Sequence, residues 1–415
     1  MSIRFPKGFI WGTATAAHQV EGNNTASDFW LLEHTPGTGF TEPSGDACDQ
    51  WHRYREDIAL LAGLGFGAYR FSIEWARIEP EEGHFSLAVL DHYRRVFAAC
   101  HEHGLLPVVT YQHFTAPRWL GCGGGWTDPR SADRFARFCE RATRHLGDLI
   151  GMGCTLNEPN TPMLISYSLG LNGGGLEALY EAGLVEAARR AGVPRERLQP
   201  FLFAHGARTR DVMLAAHEKA RDAIKGATPR AFPVGVTLAM QDDQAVAGGE
   251  AMRDRVRQDL YGAFLESARR DDFVGVQTYT RMRWGADGLV GPESGVPVLA
   301  MGYEFWPEAL EGTIRYAAGQ AGVPIHVTEN GTGTTDDAQR HQYVRRALAG
   351  VGRCLADGLD VRSYFYWSLL DNFEWLFGYG PRFGLVDVDR TSQMRTVKPS
   401  GHWLGRIARG GVLDD

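Results

Sequence analysis

Short apolar runs alternate with longer amphipathic stretches along the whole chain. Eight runs, at residues 8–16, 68–73, 105–111, 150–157, 233–239, 273–279, 325–329 and 361–368, are mostly continuous in their apolar character. Such runs suit parallel strands buried on both faces. Between them, residues 49–64, 87–103, 132–146, 250–270 and 337–355 carry a helical period. Phe135, Phe138, Ala142 and Leu146, for example, recur at three and four while the arginines fall on other faces. Gly65, Gly104, Gly147 and Gly322 each follow a helical run, as stop residues do. Eight strands interleaved with helices predict an α/β fold, a single (β/α)8 TIM barrel over residues 1–415 with elaborated loops at its C-terminal face. A doubly wound open sheet is the alternative. The longest interval between strands contains a glycine triplet at 173–175, and residues 168–200 are expected to form a loop insertion after the fourth strand.

Composition narrows the function. Of 415 residues, 44% are hydrophobic and 22% charged, which excludes intrinsic disorder. Lys+Arg 43 against Asp+Glu 50 gives a net charge of −7 with no basic block, so nucleic acid is not an expected partner. Aromatic residues make up 11%, a composition that suits flat apolar ligand faces such as sugar rings. Lys7, Lys219, Lys225 and Lys398 are the whole lysine complement and leave few candidates for a Schiff base. Six cysteines without a CxxC pair read as reduced, buried thiols. No apolar run reaches the roughly 18 residues of a membrane span. The opening MSIRFPKGFIWGTATAAHQVEG lacks the apolar core of a signal peptide, so a cytoplasmic protein without membrane contact is expected.

Chemistry in a barrel of this kind sits at the C-terminal strand ends. Those ends carry Arg70, His113, Asn157 with Glu158, Tyr279, Glu329 with Asn330, and Trp367. Glu158 and Glu329 each end an apolar strand, where a lone carboxylate is costly to bury. Two carboxylates facing one cavity suit glycoside hydrolysis, one protonating the leaving oxygen and the other attacking or activating water. That division needs their pKa values pushed apart. Arg70 beside Glu329 is expected to keep it ionised, while burial and the charge of Glu329 raise Glu158. Spacing along the chain leaves the separation of the carboxylates, and with it retention or inversion, open.

TLNEP around Glu158 and VTENG around Glu329 resemble the acid/base and nucleophile motifs of glycoside hydrolase family 1, the β-glucosidase family. The resemblance extends over nearly the whole chain, through FIWGTATAAHQVEG, YRFSIEWARIEP, VTYQHFTAPRWL, AHGARTRDVMLAAH, DFVGVQTYT and SYFYWSLLDNFEWLFGYGPRFGLVDVD, in the family's order. It implies a retaining β-glycosidase acting on terminal β-D-glucosyl, or β-galactosyl or β-fucosyl, residues of a small glycoside or short oligosaccharide. Neither a cofactor nor a metal is implied. Glu158 would be the acid/base and Glu329 the nucleophile, supported by Arg70 and Tyr279. Asn157 would meet the sugar 2-hydroxyl; Gln19, His113 and Glu374 would grip the other hydroxyls with Trp375 assisting. Trp367 would form the stacking floor and Phe383 the far wall. Glu374 in DNFEW favours a plain sugar over a 6-phosphorylated one, because a carboxylate repels phosphate.

The chain departs from the family pattern at three places. Gln277-Thr278-Tyr279 stands where the family has Asn-aromatic-Tyr, Met152-Gly153-Cys154 precedes the acid/base motif, and SLGLNGGGLEALYEAG replaces a PPG-type stretch on the leaving-group side. A transglycosylating enzyme with an unusual aglycone and a sugar-binding protein without turnover are the alternatives. His101 and His103 are too close in sequence to face one another on a helix. His217 reads as a surface residue, His205 as structural, Cys154 as an inert thiol, and the glycines at 121–125 as a loop, not a phosphate cradle. Trp284 and Trp306 are candidates for the leaving-group side.

Overall fold

The computed structural model describes residues 2–171, 174–228 and 230–414. Residues 172 and 173, part of the expected 168–200 insertion, lie outside the described residues. Eight parallel strands close into a barrel: β1 (Ile10–Ala14), β2 (Ala68–Ser72), β3 (Leu106–Gln112), β4 (Met152–Asn157), β5 (Val234–Ala239), β6 (Phe273–Thr278), β7 (Ile325–Asn330) and β8 (Val361–Trp367). Each strand pairs with its sequence neighbours, and β8 closes the ring against β1 through Phe365 opposite Gly12 and Trp367 opposite Ala14. The open-sheet alternative is thereby excluded.

The strands form where the apolar runs predict because both of their faces are covered. Outward residues such as Tyr69, Val109, Leu156, Val236 and Val327 join one large core under the surrounding helices. Inward, Ala68, Val108, Met152, Cys154, Phe273 and Phe365 fill the lower barrel with a small apolar plug. Gly12 is needed there, since a Cβ at this position would collide with the Phe365 ring and with Ala68 O. Above this plug the inward positions turn polar, so the plug is the floor of the functional site.

Two strands break their register just before the expected carboxylates. Pairing of β4 with β5 shifts between Cys154 and Asn157, and pairing of β7 with β6 and β8 shifts before Glu329 and Asn330. An extra residue in a strand re-aims the side chains that follow. On β4, Thr155 reaches an outer helix and Leu156 joins the outer core, so that Asn157 turns inward. On β7, Thr328 and Glu329 both bond to groups inside the barrel, while Asn330 turns out to Tyr343.

Helices Gln50–Leu64, Leu87–Glu102, Arg130–Leu146, Ala207–Ala227, Ala309–Ala321, Asp337–Ala356 and Pro399–Gly410 wrap the barrel. The stretch expected as one helix over 250–270 is Glu250–Arg257, a π-helical turn at Gln258–Gly262, and Ala263–Ala268. The 168–200 insertion is more than a loop, since it carries the helix Leu176–Ala191. Gly183 on that helix packs against the backbone of Gly37, leaving no room for a Cβ. His217 is not a surface residue. It is fully buried on Ala207–Ala227, its Nδ1 2.8 Å from Thr155 Oγ1 and its Nε2 3.1 Å from Asp271 Oδ2. The charged neighbours Glu218 and Lys219 mask its place on the inward helix face. Among the described residues no helix is long and apolar enough to cross a membrane.

Because Phe365 fills the plug, Phe365→Ala is expected to cost about 3–5 kcal/mol in denaturant unfolding. A loss below about 1 kcal/mol would contradict the packing described.

Candidate active site

Arg70, on β2, is fully buried at the centre of the mouth. Its Nη1 donates to Glu329 Oε1 at 2.6 Å and to Thr328 O at 3.3 Å, and its Nη2 donates to Asn157 Oδ1 at 2.5 Å. Tyr279, one residue beyond β6, donates its hydroxyl to Glu329 Oε2 at 2.6 Å. Both oxygens of Glu329 are thus held, one by a cation and one by a phenol. Burial pushes the Glu329 carboxyl above its usual range, and Arg70 and Tyr279 pull it back down. The sequence predicts that Arg70 keeps Glu329 ionised; Arg70 lies beside it and favours the charged form, but desolvation is the larger influence.

Glu158 lies one residue past β4 in a left-handed backbone conformation, φ +50°. A non-glycine residue in that region carries strain and is commonly found at functional sites. Gln277 Nε2 donates to its Oε1 at 2.7 Å and Thr161 Oγ1 to its Oε2 at 3.0 Å. No cation touches it among the described contacts. Burial, followed by the negative charge of Glu329, raises it to about 8. The two carboxyls are thus distinguished as an acid/base pair must be: one sits on a cation, the other on neutral donors.

Asn157 fixes a third group. Its Oδ1 accepts from Arg70 and, at 3.3 Å, from Thr237 Oγ1, so its Nδ2 is the end that meets His113 Nε2 at 3.1 Å. His113 is held neutral by burial and then by Arg70, which leaves its ring proton on Nδ1. That Nδ1 has no partner among the described residues. Gln19 spends its Nε2 on Phe373 O at 2.6 Å, Asn372 Oδ1 at 3.1 Å and Glu374 Oε2 at 3.4 Å, leaving its Oε1 unpartnered in the same sense.

Glu374 also meets Trp367 Nε1 at 3.4 Å. Burial raises Glu374 to about 8, with Trp367 and Gln19 opposing. In the free protein near neutrality it therefore holds a proton, and the repulsion of phosphate expected from a carboxylate is weakened. Trp367, Phe383, Ala14 and Ala16 form an apolar cluster against which Tyr279, Trp375 and Met301 pack. The His113 ring lies nearly parallel to those of Trp367 and Trp375, at 5.6 and 6.0 Å. All eleven residues named from sequence thus stand in one connected group at the C-terminal end of the barrel.

Sequence reading missed Thr161, Thr328, Asn372, Met301 and Tyr303. The first three flank named residues and carry ordinary hydroxyl or amide side chains. Met301 and Tyr303 come from the irregular stretch before Ala309–Ala321, which has no periodicity to read. Tyr303 faces Tyr279 at 6.4 Å between ring centroids, and its phenol is raised by burial and then by the charges of Glu158 and Glu374. Trp284 is not at the mouth. It is buried in a small sheet of Asp242–Ala245, Arg281–Gly285 and Gly288–Val290, donating Nε1 to Asp243 Oδ1 at 2.8 Å. Trp306 stacks on the Arg281 guanidinium, 3.5 Å from its ring centroid. Among the described residues no group of three or more His, Cys, Asp or Glu side chains is arranged to hold a metal ion.

The raised carboxyls make the site a source of instability at high pH. Folded Glu374 binds its proton more tightly than the unfolded chain, so stability falls as pH rises from about 4.5 to about 8. Glu374→Gln cannot ionise. Its melting temperature is expected to exceed the parent's by more at about pH 9 than at about pH 5, by roughly 2 °C or more at the higher pH. An equal difference at both pH values would contradict the burial argument.

Comparison with known proteins gives a consistent result. The profile described as "Glycosyl hydrolase family 1" matches residues 1–257 and 266–411. A solved β-glycosidase, BGL167, superposes with a TM-score of 0.93 at 56% identity, covering 98% of this chain and 97% of that one. Beta-glucosidase A of Thermotoga maritima is 32% identical, over 99% of both chains. The bifunctional beta-D-glucosidase/beta-D-fucosidase of Bifidobacterium breve is 32% identical, over 98% of both. The chain belongs to glycosyl hydrolase family 1.

Proposed function

We propose that the protein is a retaining β-glycosidase that releases terminal, non-reducing β-D-glucosyl residues, and β-fucosyl or β-galactosyl residues in their place, from small glycosides or short oligosaccharides. The observation that carries this reading is the pair of buried carboxyls in unlike settings, Glu329 on Arg70 and Tyr279, and Glu158 on Gln277 and Thr161.

The reaction runs in two displacements. Glu158, protonated near neutrality, gives its proton to the glycosidic oxygen as Glu329 attacks the anomeric carbon. The aglycone leaves, and Glu329 becomes an ester of the sugar. Its negative charge is then gone, so the repulsion that adds to burial in raising Glu158 is relieved and Glu158 ionises more readily than before. It next takes a proton from water, which attacks the anomeric carbon and frees Glu329. Arg70 and Tyr279 stabilise Glu329 again as it leaves. No step calls for a cofactor.

The sugar's own hydroxyls suit the unpartnered atoms of the site. Among the described residues, His113 Nδ1 is a donor and Gln19 Oε1 an acceptor without a partner. Asn157 retains an N–H for the 2-hydroxyl, a contact that strengthens as charge develops in the transition state. Glu374 with a proton both donates and accepts, which fits O4 and O6 in either orientation. Trp367 offers the ring face against which a sugar stacks. The whole chain acts as one catalytic domain in this reading, and the six unpaired cysteines support a cytoplasmic setting.

The test is hydrolysis of aryl β-glucoside, β-galactoside, β-fucoside, β-xyloside and 6-phospho-β-glucoside. Turnover is expected on the first three and not on the phosphorylated sugar, whose charge would meet only the neutral partners Gln19 and Trp367 beside Glu374. Glu329→Gln is expected to lower kcat by roughly 10⁴-fold or more with the fold intact. Inert, folded parent protein, or an unaffected Glu329→Gln, would sink the reading.

A further inference from the structure

Gln277 is fully buried on β6 and plays no part in the two displacements described above. It joins the two carboxyl-bearing strands by side-chain bonds. Its Nε2 donates to Glu158 Oε1 at 2.7 Å, and its Oε1 accepts from Thr328 Oγ1 at 3.1 Å. Thr328 immediately precedes Glu329, and the register shift in β7 turns both into the barrel. A carboxamide has two unlike ends, and its neighbours decide which end faces where. An ionised Glu158 carboxylate only accepts, so it draws the N–H end, and the Thr328 hydroxyl then donates to Oε1 and holds that orientation. Gly275 makes room for this contact, since a Cβ there would collide with Thr328 Oγ1 and the Thr237 side chain.

We propose that Gln277, with its amide locked by Thr328, is a positioning residue that steadies the ionised carboxylate of Glu158 for the second displacement. The proposal rests on the reading of the site as a retaining glycosidase. In that step the Glu158 carboxylate takes a proton from water while the water oxygen bonds to the anomeric carbon. The bond from that carbon to the Glu329 oxygen breaks, and its electron pair leaves with Glu329.

The other groups facing Glu158 supply this only in part. Burial opposes its ionisation throughout, and Glu329 on β7 adds to this only while it carries its charge. Arg70 on β2 favours it, but its hydrogen bonds go to Glu329, Thr328 O and Asn157. Tyr279 after β6 and Tyr303 from the neighbouring irregular stretch are neutral phenols, both raised by burial. Thr161 donates to the second oxygen, Oε2. Gln277 is thus the donor on Oε1, and a bond from a neutral N–H to a carboxylate favours the charged form.

The experiment measures kcat/KM against pH on an aryl β-glucoside for the parent, Gln277→Leu, Thr328→Val and Thr328→Ser. The alkaline limb reports loss of the acid's proton in the free enzyme. It is expected to move up by about one pH unit in Gln277→Leu, the size of one hydrogen bond to a charged group. Thr328→Val should move it by less in the same direction, and Thr328→Ser should stay with the parent. A second comparison uses Glu158→Ala rescued by azide, an anionic nucleophile that attacks the anomeric carbon in place of water and needs no base, the bond to Glu329 breaking as before. Adding Gln277→Leu to that variant should leave the rescued rate unchanged.

An active Gln277→Leu with an unmoved alkaline limb overturns the proposal, as does a rescued rate that falls on adding Gln277→Leu. If Gln277→Leu does not fold, the contrast between Thr328→Val and Thr328→Ser decides by the same limb. Failure of the parent on the whole substrate panel overturns the glycosidase reading itself, whereas an unmoved limb in active protein overturns the role of Gln277 alone.

Discussion

A single buried guanidinium organises the mouth of this barrel. Arg70 has no exposure, and a cation in that position is tenable only when its hydrogen bonds are met by charge or strong acceptors. Glu329 and Asn157 meet those of its two Nη atoms from β7 and β4, while its Nε has no partner among the described residues. The same contacts set the amide of Asn157, which in turn sets the tautomer of His113. Removing the charge would leave Glu329 buried without a counter-ion and free three side chains that now have one orientation each.

The remaining chemistry follows from an imbalance around that cation. Glu329 shares its charge with Arg70 and Tyr279, whereas Glu158 is left to amide and hydroxyl donors in a desolvated place. Burial acts on both, so burial alone would make two similar acids. The position of the guanidinium is what makes them differ, and the difference is what an acid and a nucleophile require. Glu374, buried beside Trp367 and Gln19, shows what burial does where no cation is near. The barrel carries these costs in its upper layer and offsets them with the apolar plug below and the large outer core around it.

Much of this was legible in the sequence because the signals are local. Apolar runs buried on both faces mark the strands, and polar residues at their C-terminal ends stand out against them. Arg70, Asn157, Glu158, Tyr279 and Glu329 stand out in the sequence for that reason. The register shifts in β4 and β7 could not be seen, since a bulge leaves no trace in a continuous apolar run. Without them strict alternation would not bring Thr328 and Glu329 inside together. Met301 and Tyr303 were illegible because they lie in an irregular stretch, and His217 was misread because its charged neighbours dominate a short window. Trp284 was misplaced for a related reason: a tryptophan after a strand looks the same whether it lines a mouth or fills the base of a small sheet.

A retaining mechanism requires a covalent bond between Glu329 and the sugar, and that bond can be trapped. The protein would be incubated with a 2-deoxy-2-fluoro-β-glucosyl fluoride, whose fluorine slows the second displacement, then digested and mapped by mass spectrometry. One fluorosugar per chain is expected, carried by the peptide containing Glu329 and absent from the Glu329→Gln variant. An adduct on another residue, or sugar release with inverted configuration and no adduct, would contradict that mechanism.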